Sequence, residues 1–150
     1  MIFSIIIGVP KNKVNKQFNG DQDELRISLD RFEHLCYMGV PQAVEVLYSP
    51  PESWIVVDDR WDGIAAEIKN NLPDHLPKVL DTYRRTALNF YKGDQKRQRH
   101  AFRLILNAEE LKASGEMHSR LTPAQIESVN KLVGAFDSED KFKDMMYEVF

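Results

Sequence analysis

Residues Ile2–Val9 form an unbroken apolar run rich in β-branched side chains, ended by Gly8 and Pro10, which predicts a buried strand. Lys11–Asp23 is polar, with three lysines and Asn19-Gly20, and reads as a loop. Glu24–Ile27 has the character of a short strand. Ser28 then has the position of an N-cap for a helix ending near Met38, with Leu29, Phe32, Leu35 and Cys36 as its apolar stripe and Gly39 as its stop. Ala43–Tyr48 reads as a second core strand closed by Pro50-Pro51, and Trp54–Val57 fits a short strand and an apolar loop equally well.

The second half has helical periodicity. Helices are expected at Arg60–Leu72, at Pro77–Tyr91 and at Gln95–Ala113, with Lys92-Gly93-Asp94 breaking or joining the last two. Thr122-Pro123-Ala124-Gln125 has the form of a capping box, so a helix should run to about Val133. Ser138 would cap a last helix, Glu139–Phe150. The expected fold class is α+β: a small mixed β-sheet in the N-terminal third, then a helical bundle. The 150 residues suit a single domain, with a sheet-containing part at 1–58 and a helical part at 59–150.

Composition narrows this little. The net charge of −3 argues against a protein that binds polyanions over its whole surface, so such a role has to come from local clustering. Cys36 is the sole cysteine, which excludes an intramolecular disulfide, and no Cys/His cluster has zinc spacing. The apolar start is too short to span a membrane and lacks the features of a signal peptide. A cytoplasmic protein is the expectation.

Charge becomes informative locally. Leu76–Arg103 holds eight basic residues (Lys78, Arg84, Arg85, Lys92, Lys96, Arg97, Arg99 and Arg103) against Asp81 and Asp94, a balance of +6 that leaves −9 for the remainder. On one continuous helix, Lys92, Lys96, Arg99, His100 and Arg103 fall at i, i+4, i+7, i+8 and i+11, along one face. Ala101, Leu104, Ile105, Ala108 and Leu111 fall on the other side. The ordinary reading is a solvated charged face, but such faces usually mix both signs. Arginine offers a planar fork of donors suited to phosphate, and histidine adds one when protonated.

Arg99–Glu116 (RHAFRLILNAEELKASGE) resembles the helical "HxxRLLxxAxELLxTGE" region of predicted nucleotidyltransferases of the DNA polymerase β superfamily, a branch common in bacteria and large phages. Leu29-Asp30-Arg31-Phe32 through Gly39–Pro50 is similar to that branch's "LxKFLxLxxxGNPNxLELLFxP", in the same order and spacing. The resemblance covers roughly Ile6 to Met117. It implies nucleotidyl transfer from a nucleoside triphosphate, with Mg2+ ions held by three carboxylates that neutralise the triphosphate and activate the attacking hydroxyl. Glu45, in Val44-Glu45-Val46, matches the third carboxylate, expected on a strand, and is the candidate metal ligand. The alternative is a strand residue facing solvent.

The other two carboxylates have no match. Gly8-Val9 matches the end of the family's "SDxDxxGV", which places its two Asp positions at Phe3 and Ile5; the preceding Gly-Ser turn would fall before Met1. The motifs therefore describe a nucleotidyltransferase-like fold, cut at its N-terminus through the active site, with His100 and Arg103 as the phosphate contacts and Lys92, Lys96 and Arg99 around them. The expected function is a non-catalytic binder of a nucleotide, RNA or an acidic protein partner, in the manner of a phage accessory or anti-defence factor. The alternative is an active nucleotidyltransferase, or a fragment of one, using acids such as Asp21 and Asp23.

Other constellations have ordinary readings. Asp58 or Asp59, with Asp62, suits the start of a helix better than a metal site. His34, His75 and His118 show no obvious partners. Trp54, Trp61, Tyr83, Phe90 and Tyr91 suit a core better than base stacking. Phe142, Met145, Met146, Val149 and Phe150 would pack the last helix on the body of the chain or on a second subunit, as in a homo-oligomer.

Overall fold

Ile2–Ile7 forms a strand (β1), as its apolar run demands, and it is flanked on both sides by parallel neighbours. The computed structural model describes the backbone at residues 2–8, 15–19, 22–49, 55–56, 58–118, 121–135 and 138–150, and side chains at 7–8, 26–49, 58–118, 121–135, 138–148 and 150. Asn15–Asn19 (β2) and Gln22–Ile27 (β3) pair antiparallel, Asn19 opposite Gln22. Ile55–Val56 (β4) lies on the far side of β1, giving the order β2-β3-β1-β4. The segment expected to be a loop over 11–23 thus contains a strand, β2, and the first residues of β3, with the Asn of the expected Asn19-Gly20 turn paired at the end of β2. The expected polar loop residues 11–14 and the Trp54 side chain lie outside the described residues.

The chain is mostly helical. The first unit, Met1–His75, continues with α1 (Leu29–Tyr37), α2 (Pro41–Leu47), α3 (Trp61–Asn71) and a 3-10 turn at Leu72–His75. Ser28 caps α1, its hydroxyl accepting from the Arg31 amide at 3.2 Å, and Gly39 ends it with φ +77. Leu29, Phe32 and Cys36 are buried. Burial and the nearby Glu33 charge push the Cys36 thiol far above its ordinary range, so it packs as an unreactive apolar group. Gly8 has φ +90, and a Cβ there would stand 2.4 Å from Asp58 Cβ, so the end of β1 admits only glycine.

Ala43–Tyr48 is not a strand. Val40 is extended, Pro41 opens a helix at its first position, and Ala43, Val44 and Leu47 are buried at helical spacing. A run this short satisfies both periods, and the packing of α2 on α1 selects the helix. Glu45 therefore lies on a helix, and its match to a carboxylate on an apolar strand loses its structural basis. Its carbonyl accepts from Ser49 Oγ at 2.8 Å. Phe32 and Trp61 rings meet at 5.2 Å, and α3 packs on α1, so this helix belongs to the first unit rather than with the helices after it.

The second unit, Leu76–Phe150, is built on α4 (Leu76–Tyr91) and α5 (Gln95–Ser114), joined by three residues and therefore antiparallel. α6 (Pro123–Leu132) begins with the expected capping box, and α7 (Glu139–Val149) is capped by Ser138. Tyr91 and Phe142 stack at 3.9 Å, and Phe102 meets Phe142 edge-on at 5.6 Å. Part of the apolar face of α7 thus packs within the chain: Phe142 and Met146 are buried, Met145 and Phe150 are half-buried and Tyr147 is 71% exposed. No helix among the described residues is long and apolar enough to cross a membrane.

The aromatic trio yields a direct expectation. Phe142→Ala should destabilise the second unit by about 3–5 kcal/mol, the range for emptying a fully buried phenylalanine. Urea unfolding followed by circular dichroism checks it, and a loss below about 1 kcal/mol would mean that α7 is held by other contacts.

Candidate phosphate-binding site

The expected ridge is present in part, and the reason lies in the joint between α4 and α5. Asp94 caps α5, its side chain accepting from the Arg97 amide at 3.0 Å. Gly93 lies against Arg97, where a Cβ would approach Arg97 Cδ to 2.4 Å. The helix therefore breaks at 92–94, and Lys92 leaves the ridge. Its Nζ sits 3.6 Å from Glu139 Oε1, tying the turn to the first residue of α7. Lys92 thus stands in the turn before α5 rather than on the helix face where continuous periodicity placed it.

Four residues remain at i, i+3, i+4 and i+7: Lys96, Arg99, His100 and Arg103, spanning about 10 Å of helix. Lys96, Arg99 and His100 are exposed and Arg103 is half-buried. Behind them Ala101, Leu104, Ile105, Ala108 and Leu111 are buried as expected, together with Phe102. Arg84 and Arg85 share the single Asp81 carboxylate at 2.8 and 2.9 Å. By contrast, Lys96, Arg97 and Arg99 have no carboxylate within ion-pair distance among the described residues.

The placement of these cations opposes helix stability. The N-terminal end of a helix carries partial positive charge, and acids there contribute about 0.3–1 kcal/mol each. α7 follows the rule with Glu139 and Asp140 in its first turn; α5 has no acid in its first turn and carries Lys96 and Arg97 there. The amides that Asp94 leaves unfilled and the helix dipole add to the field of these side chains, and the Asp94 carboxylate offsets part of it.

Arg97, absent from the expected ridge, folds back over Phe90, 5.4 Å from the ring centroid. His100 lies against the same ring at 5.6 Å, tilted by 35°. Partial burial, then the charges of Arg103 and Lys96, hold the His100 pKa below 6.5. The ring is thus neutral at neutral pH, and a bound anion would offset both cations and draw a proton onto it.

Two further residues complete the helix. Glu110 Oε1 accepts from Gln125 Nε2 at 2.9 Å, and its Oε2 accepts from the His118 amide at 2.8 Å, with His118 Nδ1 at 3.1 Å. Burial raises the Glu110 pKa, but these hydrogen bonds outweigh it and hold the carboxyl below its ordinary range. Glu110 thus fastens the segment leading into α6, and His118 has a partner that sequence reading did not supply. Asn107 is 2% exposed, and no hydrogen-bond donor of the described residues reaches its Oδ1. A buried acceptor left this way costs about 1–3 kcal/mol.

In the first unit, the strand register places Asp23 beside Phe3, Glu24 beside Ser4 and Leu25 beside Ile5. The acids standing next to β1 are therefore on β3, a position that the loop expected at 11–23 obscured. His75 stacks on Tyr37 at 4.3 Å. Asp58 grips Arg60 through both carboxylate oxygens and through the Arg60 amide, which draws its pKa down to about 2. Among the described residues, no three His, Cys, Asp or Glu side chains group as metal ligands would.

Comparison with models of protein families, with curated proteins and with solved structures finds no match for this chain. The nucleotidyltransferase resemblance rests on the motifs alone.

The electrostatics of His100 can be read by NMR. Its titration midpoint should lie below 6.5 and should rise in Lys96→Gln and in Arg103→Gln. Because the folded value is depressed, the neutral ring stabilises the fold above 6.5, and this is lost as pH falls through the folded midpoint. A wild-type midpoint at or above 6.5 would contradict the placement of both cations.

Proposed function

We propose that this chain is a nucleotidyltransferase-like protein that binds a phosphate-bearing ligand, a nucleotide or RNA, through α5, and does not itself transfer nucleotidyl groups. The observation that carries the reading is the group Lys96, Arg99, His100 and Arg103 along one face of α5, in a helix whose first turn holds no acid beyond the Asp94 cap. Phosphate is the anion that fits best: two guanidinium forks, an ammonium and an imidazole offer many donors within one strip, and the ridge length spans neighbouring phosphates of a chain.

The argument against catalysis is one of donor chemistry. Two-metal transfer needs several carboxylate oxygens converging on hard cations. The family's paired Asp positions are Phe3 and Ile5 here, and neither side chain can ligate. Asp23 and Glu24 are consecutive on β3, in register with Phe3 and Ser4 of β1. This register also favours a second reading: an acid on the strand beside β1 is what an active relative would use, so Asp23 or Glu24, rather than Glu45, would serve a catalytic form of the protein.

The test separates the two. Fluorescence anisotropy with a labelled RNA oligonucleotide should show salt-sensitive binding, weakened about tenfold in Arg99→Ala/Arg103→Ala, since each phosphate contact contributes to the ionic term. Incubation with labelled nucleoside triphosphates, Mg2+ and RNA or protein acceptors should leave the acceptors unlabelled. Labelling abolished by Asp23→Asn or Glu24→Gln would establish the catalytic reading instead. Absence of binding to any RNA or nucleotide would return the ridge to a solvated face.

A further inference from the structure

The cationic strip of α5 runs beside a row of flat side chains. At about 100° per residue, the side chains of this face follow one another around the helix axis in the order Arg99, Arg103, Lys96, His100 and Arg97. The order has a direction, because the last two are the ones that reach the Phe90 ring of α4. His100 meets it at 5.6 Å between ring centroids, and the guanidinium carbon of Arg97 stands 5.4 Å from its centroid. Arg99, Arg103 and Lys96 follow on the side away from that ring. The helix therefore carries two tracks, one of cations and one of planar groups along the α4–α5 seam.

The planar track is open to solvent. His100 and Arg97 are exposed, and Phe90, half-buried, supports both from α4. Partial burial and the charges of Arg103 and Lys96 keep the imidazole neutral at neutral pH. Among the five side chains of this face, His100 is thus the one that brings a ring and no charge. A neutral imidazole adds little attraction for phosphate beyond one hydrogen bond. As an exposed aromatic surface among cations, it suits a nucleobase, and guanidinium planes stack on bases as well.

The two tracks match the two edges of one kind of ligand. A single strand of nucleic acid carries phosphates along its backbone and unpaired bases beside them, and every base offers a π-face. Lys96, Arg99 and Arg103 suit the backbone, and His100 with Arg97 suits the bases. A duplex hides the faces of its bases in its own stack and would use the cations alone. It also carries more charge per unit length than a single strand, so a surface that acted by charge alone would favour the duplex.

We infer that the α5 face binds single-stranded nucleic acid, with a base stacked on the His100 ring that Phe90 supports and the adjoining phosphates on Lys96, Arg99 and Arg103. This rests on the phosphate-binding reading of α5 and narrows its ligand from any phosphate-bearing molecule to a strand with unpaired bases. His100 is then an aromatic contact: the ring itself matters, and the proton and the hydrogen bond that the ring offers do not.

The experiment compares a labelled single-stranded RNA oligonucleotide with the duplex of the same sequence by fluorescence anisotropy at neutral pH, using the full chain. Wild type should bind the single strand about tenfold more tightly, the order of one stacked base. His100→Ala should weaken single-strand binding about tenfold and leave duplex binding within about twofold. His100→Phe, which keeps a ring and has neither proton nor donor, should stay within about twofold of wild type on the single strand. Both variants alter an exposed side chain, and circular dichroism checks that each keeps the wild-type helix content. A duplex bound as tightly as the single strand overturns the inference, as does single-strand binding unchanged in His100→Ala. Equal losses in His100→Ala and His100→Phe overturn it too, because the imidazole would then act as a donor. In each of these cases the phosphate site stands. If neither RNA binds in a manner that Arg99→Ala/Arg103→Ala weakens, the phosphate-binding reading itself fails.

Discussion

The positive potential at the start of α5 is the constraint on which the account depends. Lys96 and Arg97 stand in the first turn of a twenty-residue helix, with Arg99, His100 and Arg103 following on the next two turns. The dipole makes each first-turn cation unfavourable by about 0.3–1 kcal/mol, and like charges at i, i+3 and i+4 add smaller penalties of about 0.2–0.5 kcal/mol. Elsewhere in the same unit several basic residues meet a carboxylate, some of them sharing one: Arg84 and Arg85 on Asp81, Lys92 and Lys143 on Glu139, Lys131 on Glu127. The grouping of cations on one helix face, Lys96 and Arg99 in no ion pair among the described residues, separates the ridge from an ordinary charged face more than the number of basic residues does.

The rest of the second unit holds that helix in place. Three residues join α4 to α5, Asp94 fixes where α5 begins, and the Tyr91–Phe102–Phe142 cluster anchors both helices to α7. Arg97 closes the joint by lying over Phe90, so one cation serves the packing while its neighbours face solvent. At the other end, Glu110 collects the loop before α6 through three hydrogen bonds. The strip of Lys96, Arg99, His100 and Arg103 therefore lies on a helix fixed at both ends, as a site that must hold its geometry requires.

Much of this was legible in the sequence wherever the signal was local. Ser28, Thr122-Pro123 with Gln125, and Ser138 announced three helix starts, and Gly39 announced an end, because a cap is satisfied by residues three or four positions away. The α4–α5 break was visible in Lys92-Gly93-Asp94, yet the ridge was drawn as though the helix continued, which is why Lys92 was counted in it. Ala43–Tyr48 was misread because six apolar-rich residues satisfy both a strand and a helix, and only the surface of α1 decides between them. β2 was hidden in polar residues whose pairing depends on β3. Asn107 could not be singled out at all: its lack of a partner is a property of the packed core, and the sequence shows only an asparagine among leucines and alanines.

The most direct test is to reverse the charge that the account holds responsible. In Lys96→Glu/Arg99→Glu, an acid enters the first turn and a second falls four residues before Arg103, both favourable to an isolated helix. Urea unfolding and RNA binding measured on the same variant should show a fold about 0.5–1 kcal/mol more stable that no longer binds RNA. A variant that loses stability, or that gains it while binding RNA as the wild type does, would contradict the claim that α5 keeps its cations for an anionic ligand.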